Sequence, residues 1–445
     1  MNFILIATLL LAAAPVLSPV TDPVRPPPGR ILTLEEALKS AREHQPQLQQ
    51  ARASTAAASA RADEALAPLL PQVSGNASYQ RTTENFAARP GSTPNVTTRT
   101  GSSWNTVNYW QLGATASQLI YDFGQTSGRW RAAKATAQGQ RDTERSTYLA
   151  TLLNARGAFF AARAAKDQLA VARETLGNQD AHLRQIEGFV QAGTRPAIDL
   201  AQARTDRANA AVQLITAENG YATARVQLNQ AMGVEGPADY DVADQAAPVV
   251  EGEDQPLDPL LDEALRNRPE MAALDQQIRA QELTIDAVRG GYGPALGIAT
   301  GVTDTGSALD ALVWNWSATA TLTWNLFQGG LTTAQTREAR ANLEGLKAQS
   351  AAERQQVRLE VDQARLAVRA ARASVGAAGE AAVNARERLR LAEARYRTGV
   401  GNAIELGDAQ LALTQAGAQR VQADYNLASS RSQLLRALGR EQALE

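Results

Sequence analysis

From Val357 to Tyr396, small or apolar residues recur at Val357, Val361, Ala364, Val368, Ala371, Val375, Ala378, Ala382, Ala385, Leu389, Ala392 and Tyr396, in steps that alternate four and three without a miss. A seven-residue repeat sustained over this many turns predicts one long helix packed in coiled-coil fashion against its neighbours. The seam is mostly Ala and Val, so partner helices must approach closely. Arg358, Glu360, Arg365, Arg369, Arg372, Glu387 and Arg390 lie between the seam positions and give the helix a wet face. A soluble coiled coil would account for this stretch alone, but the helix has a twin.

Leu34 opens a helical pattern behind the candidate N-cap Thr33, and the pattern runs to about Ala67, where Pro68 and Pro71 break it. A similar passage begins at Leu257 and stops at Gly290, Gly291, Gly293 and Pro294. The pairs Leu38/Leu261, Pro46/Pro269 and Pro71/Pro294 share one offset, while Tyr121/Phe327, Gly124/Gly330, Gly193/Gly399, Ile198/Ile404, Leu200/Leu406, Leu228/Leu434 and Gly233/Gly439 share another. The chain therefore reads as a tandem duplication of a unit of about 200 residues, far longer than solenoid periods. The first repeat spans 32–233, a linker 234–256, the second repeat 257–439 and a tail 440–445. The change of offset puts one length difference between Pro71 and Tyr121, with the longer insert in the first copy.

In that region the period switches to two. Val73, Gly75, Ala77 and Tyr79 alternate with polar residues from Gln72 to Gln80, and the return strand runs from Trp110 to Ser117. In the second copy Trp314, Trp316, Ala318, Ala320, Leu322 and Trp324 alternate with Asn315, Ser317, Thr319, Thr321 and Thr323. Runs of about ten residues with no charge on either face have the length of transmembrane strands. The hairpins 72–120 and 295–326 would then cross a membrane, with Tyr79, Trp110, Trp314, Trp316 and Trp324 as the aromatic girdle against lipid. Five of the six tryptophans fall in these hairpins, whose long flanking helices offer no second sheet to cover them. Residues from about Arg81 to Ser103, rich in Thr, Asn, Gly and Pro, would form an extracellular loop. Four strands cannot cross alone, because open edges leave backbone groups unpaired in hydrocarbon. Two chains would give eight strands and three would give twelve, both permitted even numbers.

After each hairpin a helical pattern about 100 Å long follows, from about Gln125 to Val190 and from about Thr332 to Tyr396. Each ends in a glycine-bearing tip, near 191–197 and 397–403, and a second helix returns to about Met232 or Leu438. The returning helix and the helix before each hairpin, laid end to end, would match the long one.

Composition narrows the class. The net charge is −2 and the many arginines are interleaved with acids, which argues against nucleic acid as a partner. With no cysteine there is no disulfide, thiolate metal site or lipid-modified N-terminal cysteine, and His44 and His182 read as surface residues, so no metal or cofactor is expected. The apolar run Phe3–Ala14 before Pro15 is too short to span a bilayer as a helix and has the shape of a signal peptide (1–18), although its first residues carry no Lys or Arg. A Pro-rich leader follows (19–31). No nucleophile elbow, metal-binding pair or phosphate loop is present, and Gly290–Gly293 precede a strand where a phosphate loop would open a helix, so an enzyme is not expected.

With the duplicated unit, the helix ending before proline, the hairpin closings Leu119–Gly124 and Leu326–Gly330, and the glycine-containing tips followed by an acid-Leu pair, the chain resembles the TolC-type outer-membrane efflux proteins from Leu32 to Gly439. The resemblance implies a mainly α fold with a membrane β-barrel: a homotrimer with one twelve-stranded barrel in the outer membrane of a Gram-negative bacterium and a helical tunnel in the periplasm. It further implies contact with outer-membrane lipid, a periplasmic adaptor that meets the tips at Gly193, Thr194, Gly399 and Val400, and an inner-membrane pump supplying substrate. Glu405 and Asp408 match the acidic ring at the tunnel entrance, and Asp199 and Tyr396 match the network that closes it. Gly401 stands where the pattern has a basic residue, and Arg195 of the other copy is the candidate to replace it. An acid in a first helical turn, such as Asp199 or Glu405, also stabilises that helix by about 0.3–1 kcal/mol whatever the function. The rival reading is a periplasmic adaptor or other coiled-coil assembly protein, which would carry one helical hairpin between soluble β-domains.

Overall fold

The computed structural model describes residues 29–83 and 104–441. The expected signal peptide, most of the leader, most of the expected extracellular loop and the end of the tail lie outside them. The short strand β1 (Arg30–Leu32) precedes the first copy, which contains α1 (Leu34–His44), α2 (Pro46–Leu66), β2 (Gln72–Thr83), β3 (Thr106–Tyr121), α3 (Gln125–Gln191) and α4 (Ala197–Met232). After the linker strand β4 (Tyr240–Val242) the second copy repeats the order as α5 (Leu257–Asn267), α6 (Pro269–Gly290), β5 (Ala295–Gly306), β6 (Val313–Thr323), α7 (Leu331–Arg397) and α8 (Ala403–Ala437). α3 and α7 both have 67 residues, or about 100 Å of helix.

Sequence periodicity reads one continuous helix before each hairpin, and the structure divides it in two. A residue before proline is pushed out of the α region, and Gln45 (ψ 118°) and Arg268 (ψ 123°) are both extended ahead of Pro46 and Pro269. The expected leader is also shorter, because Arg30–Leu32 pairs in parallel with Tyr240–Val242. The Thr33 hydroxyl accepts from the Glu36 N–H at 3.3 Å while Glu36 accepts from the Thr33 N–H at 3.4 Å, which starts α1 with two otherwise orphaned donors satisfied.

Along α7, ten of the twelve seam positions are buried and Val375 and Ala378 are half-buried, so the heptad stripe is the packed face. Val357, Val361, Ala364 and Val368 meet Leu260 and Ala264 of α5 and Leu434, Leu435 and Leu438 at the end of α8. Ala382 and Ala385 meet Ala416 lower on α8. The other long helix, α3, packs on α4 and α8 and also on α2 and α6. Its joint with α6 is made of small residues: a Cβ on Gly128 would lie 2.8 Å from the Ala287 Cβ, and one on Gly139 would lie 3.3 Å from the Ala273 carbonyl oxygen.

The strands form one sheet in the order β2-β3-β5-β6. Its register pairs Tyr79 with Trp110, Val302 with Trp316 and Leu296 with Leu322. These pairings, with Ala114 opposite both Gly75 and Val302, bring most apolar positions of the four strands to one face, where Gln118, Thr300 and Asp304 also fall, and most Ser, Thr and Asn positions to the other. The return strand β3 is longer than expected and carries an irregularity between Leu119 and Tyr121.

Where the linker crosses the middle of the long helices, Glu253 is 2% exposed. It takes two hydrogen bonds from Arg431 at 3.0 Å and one from the Val250 N–H at 3.2 Å, and it also pairs with Arg372. Burial alone would raise its pKa. The hydrogen bonds from Arg431, Arg372 and Val250 outweigh that and hold it below the ordinary carboxylate range.

Candidate functional site

The chemistry concentrates at two places, the strand face and the paired helical tips. On β6 and directly after it, Trp314, Trp316 and Trp324 are all more than half exposed, and Tyr79 packs at 4.6 Å against Trp110. The ten steps from Trp314 to Trp324 rise about 33 Å, and a tilt of about 40° reduces this to about 25 Å of height, the depth of an apolar membrane band. Among the described residues no helix is long and apolar enough to cross a membrane, so these strands are the elements suited to lipid.

Both tips are built alike. Gly193 (φ 69°) and Gly399 (φ 79°) take the left-handed conformation that ends a helix. The N–H of Thr194 donates to Phe189 O at 3.0 Å and the N–H of Val400 to Arg395 O at 3.1 Å, wrapping the chain over the last turn. Pro196 and Asn402 then start the return helices; the Asn402 side chain accepts from the Glu405 N–H at 2.7 Å. Gly193, Thr194, Gly399 and Val400 stand exposed at the extremity.

Beneath them lies a small core of Ile186, Ala203, Leu389, Ala392, Leu406 and Tyr396, the last only 1% exposed. The Arg195 guanidinium lies 4.6 Å over the Tyr396 ring and donates to the Gly401 carbonyl at 3.3 Å. Arg195 of the first copy thus bonds where a basic residue of the second was lacking. The glycine has a steric reason, since a Cβ at 401 would lie 3.0 Å from the Tyr396 nitrogen and 3.1 Å from Arg395.

The closing network differs in detail from the sequence expectation. The Tyr396 hydroxyl is buried and has no hydrogen-bond partner among the described residues. Burial raises its pKa; Arg195 opposes that shift and Asp199 adds to it, so Asp199 acts here through its field. His182, read as a surface residue, is half-buried and sets its ring edge-on to Tyr396 at 5.7 Å. Burial lowers its pKa despite Asp206 and Asp199 nearby.

Glu405 is not a free acid. It pairs with Arg395 at 3.1 Å in addition to standing in the first turn of α8. Asp408 is exposed one turn on and borders a groove of about 710 Å³ between α4 and α8, together with Asp199, Asp206 and Gln202. Sequence reasoning missed Arg395, His182 and the Glu253 cluster. A basic residue in the last turn of α7 was a legible signal for the first; the other two depend on contacts distant in sequence. Among the described residues no cluster of His, Cys, Asp and Glu could hold a metal.

A girdled strand sheet set on helices about 100 Å long, ending in a polar two-hairpin tip, defines the protomer of an outer-membrane channel with a helical periplasmic tunnel. The outer membrane efflux protein family matches residues 37–234 and 260–440, and the chain belongs to that family. It is 26% identical over 332 residues to the toluene efflux pump outer membrane protein TtgF of Pseudomonas putida, covering 71% of this chain and 66% of that one. It thus spans about two thirds of that relative. It is 26% identical over 432 residues to the outer membrane protein TolC of Escherichia coli, covering 91% and 82%. The crystal structure of the Campylobacter jejuni CmeC outer membrane channel superimposes with a TM-score of 0.79 at 19% identity, covering 91% and 85%. The adaptor alternative gives way to this membership.

Proposed function

We propose that three copies of this chain close a twelve-stranded barrel and a helical tunnel, forming the exit duct of a tripartite export system. The observation that carries it is the open sheet: β2 and β6 are unpaired edges of a sheet dressed for lipid, and hydrocarbon does not tolerate unpaired edges. An inner-membrane pump would deliver substrate through a periplasmic adaptor seated on Gly193, Thr194, Gly399 and Val400. At the entrance three Asp408 carboxylates, with Glu405 held by Arg395, would favour cations and disfavour anions. Arg195 and Tyr396 would hold the two tips of a protomer together in the resting state, with Asp199 shaping the local field. Chemical cross-linking in detergent should stop at a trimer band, and a monodisperse monomer in aqueous buffer would refute this assembly.

A further inference from the structure

The two long helices leave the barrel with matched unpaired cations. Arg131 and Lys134 of α3 occupy the places that Arg337 and Arg340 hold in α7, at the offset relating Gly124 to Gly330. All four are exposed. Two nearby basic residues are neutralised, Arg289 by Asp286 at 3.6 Å and Lys347 by Glu344 at 3.0 Å, whereas these four, like Arg129 beside them, have no carboxylate within ion-pair distance among the described residues. Arg131 donates only to the Ser127 carbonyl of its own helix, and the Lys134 ammonium lies 5.8 Å over the Trp130 ring.

A chain of contacts fixes which side they occupy. Trp324 directly follows β6, in step with the alternation of Trp314 to Leu322, and its indole N–H donates to Tyr292 O at 3.0 Å, while the Tyr292 hydroxyl lies 3.1 Å from the Thr333 hydroxyl. Thr333, Arg337 and Arg340 follow one another on a single helical stripe, and Ser127, Arg131 and Lys134 repeat that stripe on α3. The cations therefore share the side of the lipid-facing aromatics. Between strands and helices the apolar band continues: Tyr121 is 56%, Leu326 79% and Phe327 89% exposed. Arg131 and Arg337 stand about 10 Å along their helices, and helical side chains lean toward the N-terminus, here toward the membrane.

We propose that this collar binds anionic phospholipid of the periplasmic leaflet, with Arg131, Lys134, Arg337 and Arg340 on the phosphates and the aromatic band against the acyl chains. The assignment deepens the channel reading and rests on it. Continuity with the strand face and charge complementarity favour this occupant, and arginine suits phosphate through its bidentate fork.

The test uses the full-length protein purified in detergent and offered phosphatidylglycerol and phosphatidylcholine together, with retained lipid counted by native mass spectrometry. Wild type should retain phosphatidylglycerol in preference, by about tenfold at low salt, and less so as salt rises. The variant R131Q/K134Q/R337Q/R340Q should lose that preference with its oligomeric state and conductance unchanged, and R354Q/R358Q, which removes charges farther down α7, should keep it. A wild type without preference, or a quadruple variant that retains it, overturns the proposal while leaving the channel reading intact. Failure of wild type to insert into vesicles of either lipid overturns both.

Discussion

Replacing Arg195 by alanine tests the resting contact at the tips most directly. The substitution removes a charge-assisted hydrogen bond to the Gly401 carbonyl and a guanidinium stacked on the Tyr396 ring. Arg195 is half-exposed, so the hydrogen bond contributes about 1 kcal/mol and the stacked cation about 0.5–1 kcal/mol more. If both contacts exist only in the closed tip, a loss of about 2 kcal/mol shifts each protomer about 30-fold toward opening. Single-channel recording in planar bilayers should show a higher resting conductance for Arg195→Ala and an intermediate one for Arg195→Lys, which keeps the charge but not the planar fork. Tyr396→Phe serves as the control. Sequence reasoning puts that hydroxyl in the closing network, but it is buried without a partner, so its removal should leave the resting conductance close to wild type. A closed Arg195→Ala channel, or one opened as far by Tyr396→Phe, would refute this account.

Replacing Glu405 and Asp408 together by alanine should abolish cation preference and weaken block by multivalent cations; unchanged selectivity would reduce both acids to helix-end chemistry. Because burial lowers the His182 pKa, the unfolded chain binds its proton first as pH falls. The tip should therefore lose protection from hydrogen exchange below about pH 6.5, an effect that His182→Gln should abolish. Glu253→Gln should destabilise the linker by about 3 kcal/mol, since it strands the mostly buried Arg431 charge while Arg372 keeps Asp254. Proteolysis between 243 and 256 reads this out. In wild type the depressed Glu253 pKa makes its contribution complete above about pH 4.3, to be lost as pH falls through the folded value.

What was legible in the sequence depended on whether the signal was local. The heptad stripe named the buried face of α7 because an unbroken repeat of threes and fours has one geometric solution, and strand alternation named the apolar face of the sheet for the same reason. The break at Gln45 was within reach, since Pro46 forbids the preceding residue a helical ψ. Periodicity gives a face but not its partner, so nothing local told that α6 of the second copy lies on α3 of the first. At the tips, Arg195 could be named because Gly401 broke the family pattern. The Arg395–Glu405 pair spans one tip and was within reach, while the half-buried His182 arises only when the helices of both copies converge on Tyr396.

The small-residue joint between α3 and α6 carries a geometric consequence. The equivalents on α7 of Gly128, Ala135 and Gly139 are Ala334, Ala341 and Gly345, all exposed in the single chain. A Cβ added at Gly345 would meet nothing within 4 Å. The chain therefore makes this joint once internally and leaves its twin bare at its own edge, where in the proposed trimer the next chain's α2 would be the counterpart of α6. Three chains would repeat one joint six times around the axis, alternating within and between subunits, so the ring would have nearly sixfold symmetry although only threefold is encoded. Glu338, which replaces the small Ala132 in that stripe, marks where the two kinds of joint must differ.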